Sequence, residues 1–121
     1  YVLPVKNLDN MDVYLDGKTI RYNETYKAQG INVNFVEDLG DSYFVRTYER
    51  GVEDGTYACG TGVTAVAMCM ARKKGLSGKI HSAIKVKGGD LSVDFNYDGK
   101  SFSDVFLEGP ATFVFLGAIN I

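Results

Sequence analysis

The sequence is poor in the residues that mark several protein classes. It has only two cysteines, Cys59 and Cys69, and one histidine, His81, in 121 residues. Two cysteines without a visible secretory signal suggest reduced thiols in a cytoplasmic setting, not a disulfide frame. Ten residues apart, and with the histidine distant, they cannot build a zinc site, so no metal is expected. There is no basic surplus: the net charge is -2. That removes the electrostatic footprint of a nucleic-acid binder. No apolar run approaches the ~20 residues of a membrane span. The longest candidate, Val63 to Ala71, is too short and contains Thr64. There is no repeat, linker or low-complexity tract, and the length suits one domain, residues 1–121, with one core. The opening Tyr1-Val2-Leu3-Pro4-Val5 starts mid-strand without Met, which is expected of a piece of a longer protein.

What is present reads mostly as strands. Val2 to Val5 predicts a strand that Pro4 confines to an edge or an end. Lys6 to Asp12 is polar and reads as loop or a single helical turn. Asp12 to Tyr22 supports either a hairpin around Asp16-Gly17 or a short helix interrupted by Gly17. Gly30 to Glu37 alternates, with Val33 and Phe35 on one face, and Ser42 to Tyr48 is aromatic and β-branched. Glu49 to Ala58 reads as loop. Gly60 to Lys74 predicts a helix with Arg72, Lys73 and Lys74 at its negative end and Gly75 as its stop. Further strands follow at Lys79 to Lys87, Leu91 to Tyr97, Ser103 to Glu108 and Ala111 to Leu116, with turns at Gly88-Gly89-Asp90 and Asp98-Gly99-Lys100. The helix is apolar or small at nearly every position from Val63 to Ala71, so it is expected to be buried on nearly all sides. Strands before and after it predict an α+β fold, a curved and mainly antiparallel sheet wrapped around a central helix.

The chemistry concentrates where the charged loop meets the helix. Cys59 opens the helix, among unpaired backbone N–H groups and the positive end of the dipole, a setting that favours thiolate over thiol. A free cysteine is often only a small buried hydrophobe. Here Gly60 and Gly62 leave the following backbone bare, so an anion such as a carboxylate could bind beside the sulfur. Cys69 lies mid-helix between Met68 and Met70, roughly 15 Å along the axis from Cys59, and reads as core. Glu49-Arg50 would ordinarily be a solvated pair. Beside a candidate thiol, Arg50 could grip a carboxylate through its planar fork, and Glu49 could bind an ammonium or bias the thiol. Glu53 and Asp54 read as loop surface. Asn32, polar within an apolar strand, could serve a ligand or pair with backbone. His81 could pair with a cysteine nucleophile, but a lone sheet histidine is the commoner case. Gly60-Thr61-Gly62 lacks the lysine and the strand-then-glycine order of phosphate-binding fingerprints.

Tyr48-Glu49-Arg50-Gly51 followed by Ala58-Cys59-Gly60-Thr61-Gly62 closely resembles the second cysteine motif of the diaminopimelate epimerase family. Gly30-Ile31-Asn32-Val33-Asn34-Phe35-Val36 resembles that family's Asn-Val strand, and Gly109-Pro110-Ala111 its closing strand. The resemblance implies one of two pseudo-symmetric halves, each a sheet around a helix, and no cofactor. It implies that a cysteine from each half faces the substrate α-carbon, one removing the proton and the other returning it. Cys59 would be the acid/base of the second half, with Glu49 tuning the thiols. Gly60 and Thr61 would offer N–H groups to the reacting carboxylate, and Asn32 and Arg50 would hold the distal end. The implied partners are diaminopimelate, the N-terminal half of the same enzyme and, as an open possibility, a second copy in a homodimer. Gly55 departs from the pattern, standing where the family usually has glutamate, which is expected to loosen the loop. The first-half cysteine is also missing, so the chain alone is expected to be inactive. Two other readings stay open: a sibling cofactor-free racemase such as a proline racemase, and a binding module on this fold.

Overall fold

A computed structural model describes all residues from Tyr1 to Ile121. The chain forms β1 (Val2–Pro4), a 3-10 turn (Leu8–Asn10), α1 (Val13–Arg21), β2 (Val33–Asp38), β3 (Tyr43–Glu49), β4 (Asp54–Thr56), α2 (Gly60–Lys73), β5 (Gly78–Val86), β6 (Gly89–Tyr97) and β7 (Phe102–Glu108). The strands make one sheet in the order β1-β2-β3-β5-β6-β7, with β4 on β3. Pairing is antiparallel except for β1 with β2 and β3 with β5. The β3/β5 contact is brief, Tyr43 with Ile84 and Phe44 with Lys85, and α2 forms the crossover between them. Six of the seven strands, all but β4, touch α2, so the sheet wraps the helix as the sequence predicts.

Period-two alternation sorts the strands between two cores. Val36, Val45, Ile84, Val93 and Phe95 face α2 and pack on its Val63, Val66, Ala67 and Met70. Val33, Phe35 and Tyr48 point the other way, where Leu8 and Val13 cover them. The β2–β3 end therefore carries a helix on each face. This explains the unbroken burial of Val33 to Val36, which would otherwise alternate.

The segment from Asp12 to Tyr22 resolves as helix. The Asp12 carboxylate accepts the Leu15 N–H at 2.9 Å, an N-cap that a hairpin could not use. Gly17 does not break it; the Tyr48 ring lies against the helix at this glycine. At the far end of α2, Leu76 N–H donates to Ala71 O at 3.0 Å and Gly75 N–H to Arg72 O at 3.1 Å, the expected stop at Gly75.

Three expectations are corrected. The Glu49–Ala58 segment is not all loop: Asp54–Thr56 pairs with β3, placing Gly55 opposite Tyr48. Residues Ala111 to Leu116 form no strand; they have no neighbouring strand to pair with, and Phe113 and Leu116 are 82% and 89% exposed. The helix α2 is buried on one side only. Thr61 and Cys69 are exposed and Ala65 and Met68 half-exposed, because the sheet covers the opposite face. Cys69 is thus not core.

Candidate functional site at the mouth of the second helix

Cys59 is the N-cap residue of α2, with extended backbone (φ -135°, ψ 105°). Its carbonyl accepts the first intrahelical bond, from Val63 N–H at 2.9 Å. The N–H groups of Gly60, Thr61 and Gly62 precede that bond and so have no acceptor within the helix. The Cys59 side chain does not cap them. Its Sγ lies 3.5 Å from Thr61 Oγ1 and accepts Asn32 Nδ2 at 3.9 Å. Cys59 is 7% exposed.

Gly62 is required by close approach. A Cβ there would collide with Asn34 Oδ1 and lie 3.2 Å from Cys59 Sγ. The first turn of α2 can therefore press against β2, which brings the thiol and the strand asparagines together.

Two grooves flank this turn, and Thr61 and Ala65 line both. One, of about 280 Å³, is lined by Tyr1, Asn32, Asn34, Arg50 and Gly62 among others. The other, of about 660 Å³, is lined by Glu49, Cys59, Gly60, Met68 and Leu107 among others. The structure thus gathers all six residues expected at the site, Asn32, Glu49, Arg50, Cys59, Gly60 and Thr61, around one helix end. Asn32 links them. Its Oδ1 accepts the Arg50 backbone N–H at 2.8 Å while its Nδ2 reaches Cys59. Of the two alternatives read for Asn32, the pairing with backbone is present, and the residue also lines the groove. Arg50 also donates through Nη1 to Gln29 O at 2.7 Å. His81 is elsewhere, on β5, with Nδ1 2.7 Å from the Asp94 carboxylate, and is no partner for Cys59.

Two contributors escaped the sequence reading. Asn34 lines the groove, accepts Thr47 Oγ1–H at 2.8 Å and donates to Tyr1 O at 3.1 Å. Its spacing of two from Asn32 was the available signal, since i and i+2 share a strand face. Glu53, read as loop surface, is a hub. It accepts Gly51 N–H at 3.1 Å, Tyr48 Oη–H at 3.1 Å and Arg21 Nη2–H at 3.2 Å. The Gly51 N–H, aided by the Tyr22 and Tyr48 hydroxyls and the Arg21 charge, holds the Glu53 carboxyl below its ordinary range. Burial, then the Glu53 hydrogen bond, pushes the Tyr48 phenol up to about 12.

Chemically, the arrangement brings several kinds of binding group together. It offers a thiol beside free N–H donors at a helix N-terminus, a carboxylate in the same groove, and a guanidinium and two amides in the adjoining one. The fold has the same architecture as solved proteins of the epimerase and phenazine-biosynthesis type. One is a predicted epimerase from Pseudomonas aeruginosa (TM-score 0.63, 12% identity), matched over 84% of this chain and 33% of that one. Another is a phenazine biosynthesis protein of the PhzF family from Bacillus anthracis (TM-score 0.53, 18% identity), over 84% of this chain and 32% of that one.

Within that class the chain belongs to the diaminopimelate epimerase family, whose sequence model matches residues 1–114. It is 47% identical to the diaminopimelate epimerase of Flavobacterium psychrophilum over 110 residues, 90% of this chain and 43% of that protein. Against the Aquifex aeolicus diaminopimelate epimerase it is 41% identical over 122 residues, 99% of this chain and 42% of that protein. The chain spans less than half the length of these relatives.

Proposed function

We propose that this chain is the C-terminal half of a cofactor-independent epimerase that interconverts LL- and meso-diaminopimelate. The observation that carries the reading is the convergence of Cys59, the unpaired N–H groups after it, Glu49, Asn32 and Arg50 on one helix mouth, in a chain of this family. The Cys59 thiolate takes the substrate α-proton, and the electron pair left on carbon spreads into the α-carboxylate. The N–H groups of Gly60 and Thr61 stabilise the oxygens on which that charge develops. A thiol of the N-terminal half then delivers a proton to the opposite face of the carbon, inverting it. In the reverse direction the roles exchange. Glu49 lies on the Cys59 side of the turn and supplies charge near the reacting centre. Arg50 and Asn32 lie on the other side and hold the distal end of the substrate.

Cys69 cannot be the second thiol. It lies exposed about 15 Å along the axis from the helix mouth and lines neither groove. The chain alone is therefore inactive, and the partner it requires is the remainder of the enzyme. LL-diaminopimelate in D₂O tests both claims. The full-length protein should exchange the α-hydrogen and form the meso isomer, and Cys59→Ala should abolish this. Enzymatic exchange by the isolated chain would overturn the division into halves. Racemisation of proline or hydroxyproline by the full-length protein, with no action on diaminopimelate, would overturn the substrate.

A further inference from the structure

The last turn of α1 carries Arg21, which lines neither groove at the helix mouth. Its side chain is only 12% exposed, yet it makes a single ion pair, Nη2 to Glu53 Oε1 at 3.2 Å. Arg21 Nε and Nη1 are buried without a partner. Leaving such donors unpaired is unfavourable, so the position is costly for stability alone. Glu53 is costly too: it is a non-glycine residue at φ 59°. These two unfavourable features meet at one contact, and the contact closes the turn that carries Arg50.

The geometry of that closure is specific. The Glu53 carboxylate takes the Gly51 N–H with the same oxygen that faces Arg21, and the Tyr48 hydroxyl with the other. Glu53 N–H donates to Glu49 O at 2.8 Å. The turn from Glu49 to Glu53 is thus tied at both ends, with Arg50 its first residue after β3. Behind it, Gly30 separates the two arginines. A Cβ at Gly30 would collide with Arg50 Cδ and lie 3.0 Å from Arg21 Cζ. The two guanidinium groups share one backbone segment, and Glu53 neutralises the rear one while Arg50 faces the groove.

We propose that Arg21 is a positioning residue: through Glu53 it holds the Arg50 turn at the depth that lets Arg50 meet the distal, anionic end of a substrate. The inference rests on the reading of Arg50 given above. Because Arg50 would grip a part of the substrate that does not react, its displacement weakens ground state and transition state alike.

The test uses the full-length enzyme with Arg21→Met, Arg21→Lys, Glu53→Gln and the Arg21→Met/Glu53→Gln pair. In Arg21→Met, KM for LL-diaminopimelate should rise about tenfold with kcat nearly unchanged, the pattern of lost uniform binding. Arg21→Lys, which keeps the charge but not the fork, should recover part of the loss. The double variant should be no worse than Arg21→Met, because the two residues act through one contact. Amide exchange in a peptide spanning Glu49 to Glu53 should accelerate in Arg21→Met and in Glu53→Gln. A lowered melting temperature with unchanged KM would make Arg21 a structural pin only and overturn the proposal. So would fully additive effects. If the wild type does not turn over diaminopimelate, the substrate reading fails by itself; unchanged amide exchange in Arg21→Met, or in Glu53→Gln should the methionine variant not fold, still overturns the positioning role.

Discussion

Cys59 caps the helix on which Cys69 sits, and only Cys69 departs from the place that sequence alone suggests. Cys69, flanked by Met68 and Met70, has the neighbours of a core residue and lies in the open. Cys59, flanked by a charged loop and glycines, is nearly buried. The difference lies in what covers each one. Cys59 is enclosed by the close approach of α2 to β2, which Gly62 permits, and its sulfur meets the Asn32 amide and the Thr61 hydroxyl. Cys69 projects from the face of α2 that the sheet does not reach. An apolar sequence around a residue shows that burial would be favourable; it does not show that a partner is present.

The sharpest way to break this comparison is to contrast Cys69 with its neighbour. Met70, 4% exposed, belongs to the core between α2 and the sheet. Met70→Ala should cost about 2–5 kcal/mol in denaturant unfolding. Next in size is Gly62→Ala, for which overpacking against Asn34 and Cys59 should cost about 1–3 kcal/mol. A cost close to zero there would mean that α2 and β2 are not pressed together, and the enclosure of Cys59 would lose its cause.

The loop behind the site gives a smaller, pH-dependent contrast. Glu53 has a folded-state pKa below its ordinary 4.5. Its contribution is present above that value and is lost as pH falls through the lowered one. Between pH 7 and acid, Glu53→Gln should therefore show a shallower loss of stability than the wild type, measured as unfolding midpoints on both. Identical pH profiles would show that the ionisation of Glu53 contributes nothing to stability. Gly55 sharpens the same region. A Cβ there would meet only Val13 Cγ1 at 3.8 Å and Thr47 O at 3.9 Å, ordinary contacts. Gly55→Ala should stabilise by about 0.4–1 kcal/mol through the unfolded chain. The smallest effect is expected at Cys69: Cys69→Ser should stay within about 0.5 kcal/mol of wild type. In this chain, iodoacetamide should label Cys69 before Cys59, read by peptide mass mapping.

Much of the site was legible because its chemistry is local. A thiol followed by Gly60-Thr61-Gly62 and an apolar run marks a helix mouth, and Glu49-Arg50 ends the strand that precedes it by one short β4 hairpin. What was missed depends on contacts distant in sequence. Glu53 looks like loop surface until Arg21, 32 residues earlier, meets it from the end of α1. Asn34 looks like a strand polar residue until α2 brings Gly62 against it. The segment Ala111 to Leu116 has the apolar content of a strand, yet a strand requires a neighbour to accept its backbone hydrogen bonds, and none is present beside it.

By itself the sequence determined the α+β class, the position of α2 with its cap and stop, and the presence of a thiol at its mouth. Those follow from short-range physics: periodicity, capping and turn chemistry act within a few residues. Only the tertiary structure decided which face of α2 is covered, that Cys69 is exposed, and that Arg21 reaches the Arg50 turn. These are outcomes of packing between elements distant in the chain, where burial is set by which surface a partner occupies and not by the apolar content of the residues waiting to be covered.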